Sequence, residues 1–491
     1  MKGVFTMKRI ICILLSLLIA AALLAACRDT SDVSDPDNSI DVSASGDLFA
    51  NLPDVNYTVD GEPAEFVILT TGDWAGRYKS IEICANEQAP ELISDSVTER
   101  NAMVEERFGV KIIETRTAAY GDMLTLIRNN ATSGTDLYDV VMPFMTDAAV
   151  LSAEKLFYDL NTSSVSFDGE WWDQNAKSTL SIDKKLYFIT GDLCLLAYDC
   201  TSCLAFNKDM IDDYNLDNPY ELVDSGEWTL DKLLSMAREV GYHDNGDAKK
   251  DFSDIWGCMI NSSYATSMFI SSGERLTDKD ENDIPTIAVS GDRQSDVFAK
   301  IFDLCSDSSI CHIDSYAANY DDVWLAASEA IATGHVVFRP VVVIDIQEVA
   351  SFDCNFGIIP TPKYDAEQEE YYSYVSAVCA TCVAIPTSNE DFEMASVIMD
   401  AMAQASTDTV KTAYYDTLLK LRKIQDDDGE RMLDIIFGGR VYDYGILFGW
   451  GGINTFMNDI AFSGSNTFQS KLDSITGAIQ SDINNTVDRM R

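Results

Sequence analysis

From about residue 64 the chain alternates strand-like and helix-like patterns, and this alternation limits the fold more than any other feature of its 491 residues. "EFVILTTG" reads as a strand closed by a glycine turn. Ser96-Val97-Thr98-Glu99 has the spacing of a capping box, and Val97, Val104 and Phe108 then share one helical face. "VKIIETRT" (110–117) is a second strand, "DMLTLIRNN" a second helix and "LYDVVMPF" (137–144) a third strand. Strands separated by helices return through crossovers, so the sheet is predicted to be largely parallel and this half an α/β domain.

The pattern changes near residue 165, where "SFDGEWWDQNAKSTLSIDKKLYFITGD" is polar and hairpin-like and "CLAFNKDMIDDYNL" is a strand running into a helix. In "GEWTLDKLLSMAREVG", Thr229 can cap a helix that buries Leu230, Leu233, Leu234 and Ala237. Asn207-Lys208 opens another helix, and Phe167, Trp228 and Trp256 are assigned to packing. Strand signals return in "HVVFRPVVVI", "FDCNFGIIPTPKY" and "AVCATCVAIP", and the tail is mostly helical. No internal repeat is visible, which argues against solenoids and propellers. The prediction is two α/β lobes with a helical C-terminal portion.

The N-terminus places three cations, Lys2, Lys8 and Arg9, before an apolar run from Ile10 to Ala26. That order is an export signal, too short for a comfortable membrane span of about 20 residues. Leu24-Ala25-Ala26-Cys27 resembles a bacterial lipobox. The resemblance implies cleavage of 1–26 and lipidation of Cys27, whose acyl chains would hold the protein on the outer face of the cell membrane. The stretch 27–61 is rich in Asp and Ser and poor in apolar residues, and is expected to be a disordered acidic tether.

A net charge of −45 repels phosphate backbones, which excludes nucleic acid as a partner. Besides Cys12 and Cys27 there are ten cysteines, two pairs of them spaced C-x-x-C: Cys200/Cys203 and Cys379/Cys382. Together they could form a tetrahedral zinc site. Their apolar, strand-like flanks favour buried thiols instead. "HDNGDAKKDFSD" (243–254) is similar to an acidic calcium loop, but His243 stands at the first ligand position and Ala248 where the turn wants glycine. No resident metal or cofactor is predicted.

"LYDVVMPF", "LAFNKDMI", "GEWTLDKLL", "FGIIPTPKYDAEQEEYYS" and the following "VAIP" together resemble the family 1 extracellular solute-binding proteins of bacterial ABC importers, the group that includes maltose-binding protein. The resemblance spans residue 64 to about 450. It implies a type II periplasmic-binding-protein fold, two α/β lobes with a hinge and an inter-lobe cleft. Lobe one is then expected from 62–165 plus 310–370 and lobe two from 166–309 plus 371–491. It also implies a monomer that captures a small molecule such as an oligosaccharide and hands it to ABC permease subunits, without catalysis.

A neutral sugar presents hydroxyls and weakly apolar C–H faces, so its site needs aromatic plates together with carboxylates and arginines. The loop "TTGDWAGRY" supplies Asp73, Trp74 and Arg77, and the segment after "LYDVV" supplies Phe144 and Asp147. "EWWDQ" brings Trp172 from lobe two, Asp199 lies beside the expected crossing, and Trp450 stands between glycines in "LFGWGG". Arg339 occupies a position where relatives carry a small residue before proline, and Val341 one where an aromatic is frequent.

Two other classes compete. A hydrolase finds little support, because His243, His312 and His335 fit no metal-ligand spacing and no G-x-S-x-G elbow exists, although two carboxylates suffice for glycoside hydrolysis. A lipoprotein sensor of the same fold signalling to a membrane kinase uses the same closed cleft and is not separated from import by sequence; a binder of a peptide or polyamine is a further alternative, although the aromatic supply fits a sugar.

Overall fold

The computed structural model describes residues 47–491 apart from 120, 248, 353 and 421–426. The chain divides into two units, Met1–Asp47 and Leu48–Arg491, and the second is the subject of everything below. The export signal, Cys27 and the tether up to residue 46 lie outside the described residues. The tether was expected to reach 61, and that limit is corrected. Phe49 and Leu52 are buried, the Phe49 ring meets Phe108 at 5.4 Å, and Tyr57 N donates to Phe108 O at 2.7 Å. Two apolar side chains in an acidic stretch are enough to dock it, since each fully buried one contributes roughly 1.5–3 kcal/mol.

The first sheet has the order β2-β1-β3, all parallel, from β1 (Ala64–Thr70), β2 (Val110–Arg116) and β3 (Val140–Met142). Helix α1 (Glu91–Phe108) follows β1, α2 (Asp122–Ser133) follows β2 and α3 (Met145–Ala153) follows β3. The buried face of α1 includes Val97, Val104 and Phe108 as expected. Its start is not at Ser96: Pro90 precedes the first turn, and the Ser96 and Thr98 hydroxyls donate inside the helix to Leu92 O and Ser94 O at 2.9 Å each. The capping-box spacing was matched by chance within a longer helix.

The second sheet is mixed. Its order is β6-β5-β7-β4-β8, from β4 (Ser202–Asn207), β5 (Ile255–Ile260), β6 (Ile310–His312), β7 (Val336–Val342) and β8 (Phe356–Ile359). β6 and β7 run parallel to β5, while β4 is antiparallel to β7 and β8. Helix α4 (Leu230–Val240) packs on β5, with Thr229 Oγ1 accepting from Lys232 N at 3.2 Å; Leu230, Leu233 and Ala237 are buried and Leu234 half-buried. A Cβ on Gly257 would stand 2.1 Å from Ala237 O, so the α4–β5 contact depends on that glycine. Asn207, at the end of β4, caps the helix Lys208–Asp213, and Phe167, Trp228 and Trp256 are core residues. Helices α5 (Val323–Ala332) and α6 (Asp345–Ser351) flank β7 in sequence and pack on it.

Strand pairing corrects the expected lobe composition. Residues 310–370 belong with β4 and β5, because β7 pairs Phe338 with Phe206 and Pro340 with Leu204. Conversely, 166–195 and 376–406 join the first sheet. Ile189 bridges Val383, Val141 bridges Ala384, and α7 (Phe392–Ser406) packs on α1. The chain crosses between the layers at about 198–201 and again at 375–379, where Thr201 bridges Val375 and Ser376 N donates to Cys200 O at 2.9 Å. The last helix, α8 (Phe468–Met490), touches both α3 and the helix Asp292–Cys305. Hydrophobic runs buried on both faces carry no mark of which sheet they enter, and the ranges carried over from the family resemblance placed 310–370 in the other lobe.

Candidate ligand-binding site

The parallel strands of the first sheet end on one edge, and open α/β sheets bind ligands beyond such an edge. The loop after β1 is a tight turn. Asp73 Oδ1 accepts from Gly76 N at 2.7 Å, Trp74 and Tyr78 pair through both backbone bonds at 3.1 Å, and Ala75 and Gly76 take positive φ of 57° and 76°. Asp73 is exposed and serves as the turn's cap. The turn projects Arg77 away from its own lobe.

Arg77 reaches the other layer. Its Nη1 pairs with Asp345 Oδ1 at 2.6 Å and its Nη2 with Glu348 Oε1, both on α6. Behind them Ser328 Oγ donates to Glu348 Oε2 at 3.2 Å and accepts from Arg339 Nη1 at 2.7 Å. The result is a polar chain from the β1 loop through α6 and α5 to β7. Burial works against the Arg77 charge, yet Asp345 and Glu348 hold its pKa above the ordinary value.

Aromatic rings surround this chain. Trp74 is half-buried, with ring centroids 5.4 Å from Tyr78 and 5.8 Å from Phe144. Burial raises the phenols of Tyr78 and Tyr264, and the Asp345 charge adds to both. On α5, Trp324 is 39% exposed one turn before Ser328, whose Oγ lies 3.1 Å from Trp324 O, the alternative acceptor for its single proton. The composition is indole and phenol faces around a fork of one guanidinium and two carboxylates, groups that each take hydroxyls in pairs.

The remaining expected residues are placed differently. Phe144 is buried, bridges Thr381 through its backbone and meets the Trp74 ring. Asp147 is half-buried in the first turn of α3, where burial lifts its carboxyl against the pull of Arg128. Asp199 lies in the first crossing, buried, with Tyr414 Oη donating to it at 2.8 Å; burial pushes its pKa up to about 7. Arg339 is not on a free cleft wall in lobe one but buried in β7 of the second sheet, linked to the Arg77 chain through Ser328.

Trp172 and Trp450 correct the expectation of exposed plates. Trp172 is 1% exposed in the first layer, and with Trp171 it donates to Asp400 Oδ1 on α7, at 2.6 and 2.8 Å. Trp450 is 3% exposed, stacks on Phe448 at 4.8 Å and donates to Thr486 Oγ1 at 2.9 Å. Flanking glycines signalled a close approach of α8, where a Cβ on Gly451 would meet Ile479 N at 2.6 Å, rather than an open ring.

Sequence reasoning missed Tyr78, Tyr264, Asp345, Glu348 and Trp324. The signal for two of them was present: Asp345 and Glu348 are spaced i,i+3 just after a strand, which sets them on one helical face. A depression of about 380 Å³ lined by Leu230, Leu234, Arg238, Lys300 and Asp307 lies between α4 and the helix Asp292–Cys305, elements that carry neither Arg77 nor its partners Asp345 and Glu348.

No protein-family model matches the chain, and no curated protein matches its sequence. Solved structures do match. A cyclo/maltodextrin-binding protein complexed with maltotetraose superposes with a TM-score of 0.53 at 12% identity, covering 88% of this chain and 98% of that one. An ABC substrate-binding protein from Listeria monocytogenes in complex with cycloalternan superposes with a TM-score of 0.50 at 10% identity, covering 87% and 98%. The chain therefore has the two-lobed α/β fold of the maltose-binding-protein-like ABC substrate-binding proteins.

Proposed function

We propose that this protein captures a carbohydrate between its two lobes and delivers it unaltered to an ABC importer, while acyl chains on Cys27 hold it at the outer face of the cell membrane. The observation that carries the reading is the Arg77 fork, which crosses from the β1 loop to Asp345 and Glu348 next to the paired rings of Trp74 and Tyr78. A glycan entering there exchanges these paired groups for its own hydroxyls and lays a C–H face on indole or phenol. Both fold neighbours were solved with oligosaccharides, maltotetraose and cycloalternan. Lobe closure around the solute then becomes the signal a permease reads, because a ligand shifts the open–closed balance by its difference in affinity for the two states.

Titrating the protein with a glycan panel that includes maltotetraose and cycloalternan tests this. A bound glycan shifts tryptophan emission and raises the melting temperature. Release of reducing ends would make the protein a hydrolase, and the absence of any shift across the panel would remove the carbohydrate reading. Labelled palmitate should enter the wild type and not Cys27→Ala; equal labelling would remove the anchor.

A further inference from the structure

Three passages between the layers lie side by side. Thr201 in the first bridges Val375 in the second, and Ser376 N donates to Cys200 O at 2.9 Å. A further passage, 439–443, leads from the helix Asp427–Gly438, which packs on β8, to the helix Tyr444–Phe448, which packs on α3. Within it Arg440–Val441 pairs in parallel with Ser373–Tyr374, and Val375 N donates to Val441 O at 3.2 Å. The passages are therefore one hydrogen-bonded ribbon and not three separate linkers. At one end the ribbon runs into β4, where Val343 N, just past β7, donates to Thr201 O at 3.0 Å.

Lobe one grips the other end. Asp173 and Asp192 stand in the stretch 166–195 that joins the first sheet, with Asp173 N donating to Thr190 O and Asp192 N to Trp171 O at 3.0 and 2.8 Å. Asp173 divides its carboxylate. Oδ1 caps the helix Gln174–Thr179 through Ala176 N at 3.0 Å, while Oδ2 pairs with Arg440 Nη2 at 3.0 Å and accepts from Tyr442 Oη at 2.8 Å. Asn175 Nδ2 adds a bond to Arg440 O at 3.1 Å. Asp192 accepts from Tyr198 Oη on the first passage, and also from Lys411 Nζ and Thr407 Oγ1 at 3.1 and 2.7 Å. The Arg440 guanidinium lies 4.0 Å from the centre of the Tyr198 ring and so joins the two grips.

We propose that this contact is the pin on which lobe one pivots: Asp173 and Asp192 hold the ribbon through Arg440, Tyr442 and Tyr198, and the lobes turn about them without parting them. The Arg440 and Asp173 side chains are only 9% and 6% exposed, and breaking such a pair strands a buried charge, so motion that preserves it is favoured. The more exposed Arg77 fork, on the far side of the crossings in sequence and in contact, is the one that opens. Short crossings let the lobes rotate as rigid bodies, and the pin fixes the axis. The inference rests on the crossings alone and holds whichever solute the site takes.

The test uses the ligand-free full chain, spin-labelled through non-natural amino acids at two exposed positions, Leu137 ahead of β3 and Leu325 on α5. Double electron–electron resonance then reads the distance between the lobes. Asp173→Asn removes the charge opposite Arg440 and can still cap its helix, while Tyr442→Phe and Tyr198→Phe each remove one hydroxyl bond to a carboxylate. Each variant is expected to broaden the distance distribution and to speed hydrogen exchange in 196–201 and 439–443 by about 10-fold or more, with exchange in β5 unchanged. Should Asp173→Asn fail to fold, the two phenylalanine variants decide. Gly257→Ala strains lobe two away from the ribbon and should leave the distance distribution as in the wild type. Wild-type distances and exchange in the folded pin variants, or equal broadening in Gly257→Ala, would overturn the proposal.

Discussion

Replacing Arg77 by Met keeps the length and apolar stem of the side chain and removes its charged fork. In the wild type the Arg77, Asp345 and Glu348 side chains are 18%, 12% and 25% exposed, so the pair is neither a surface bridge nor a sealed one. Exposed pairs contribute about 0.2–1 kcal/mol, and breaking a buried pair costs about 3–5 kcal/mol. An intermediate loss of roughly 1–3 kcal/mol corresponds to a 5–150-fold change in the balance between closed and open lobes. Hydrogen exchange of the ligand-free protein should therefore accelerate in the β1 loop, 71–80, and in 342–351, while the radius of gyration from X-ray scattering grows. Arg77→Lys keeps the charge without the planar fork and should fall between the two. If Arg77→Met exchanges like the wild type in both segments at an unchanged radius, the fork does not hold the lobes together and the reasoning fails.

Asp199 predicts a pH effect. Burial raises its folded pKa to about 7 from 3.8, so the folded state holds the proton more tightly than the unfolded state and stability falls as pH rises between those values. Asp199→Asn, which can still accept from Tyr414, should flatten that fall by up to about 1.4 kcal/mol per pH unit; a urea midpoint with unchanged pH slope between pH 5 and 7 would contradict it. Asp400→Ala strands the buried Trp172 donor and the neighbouring Trp171 donor and should destabilise the fold by about 2–4 kcal/mol in denaturant melts, with Asp400→Asn recovering part of it. Gly257→Ala drives a methyl group into the α4 backbone and should cost at least about 1–3 kcal/mol, a loss that a melt within error of wild type would exclude.

The local content of the fold was legible before any coordinates. The β1, β2 and β3 strings, the Thr229 cap and the stripe of α4 are set by interactions within a few residues, so hydrophobic periodicity and turn chemistry report them directly. The β1 loop was legible for the same reason: "TTGDWAGRY" had to be a turn with a polar and aromatic crown. Partnership was not. Whether "HVVFRPVVVI" joins β1 or β4 depends on backbone hydrogen bonds between residues more than a hundred positions apart, and an apolar run fits either sheet. Exposure was equally hidden: Trp172 and Trp450 found Asp400 and Thr486, whereas Trp324, unremarked in sequence, is exposed on α5. The chain by itself determined strands, helices and the chemistry available at their ends, because those follow from neighbours along the backbone. Only tertiary structure decided that Arg77 meets Asp345 and Glu348 and that Thr201 meets Val375, because those encounters depend on how two sheets and their crossings pack in space.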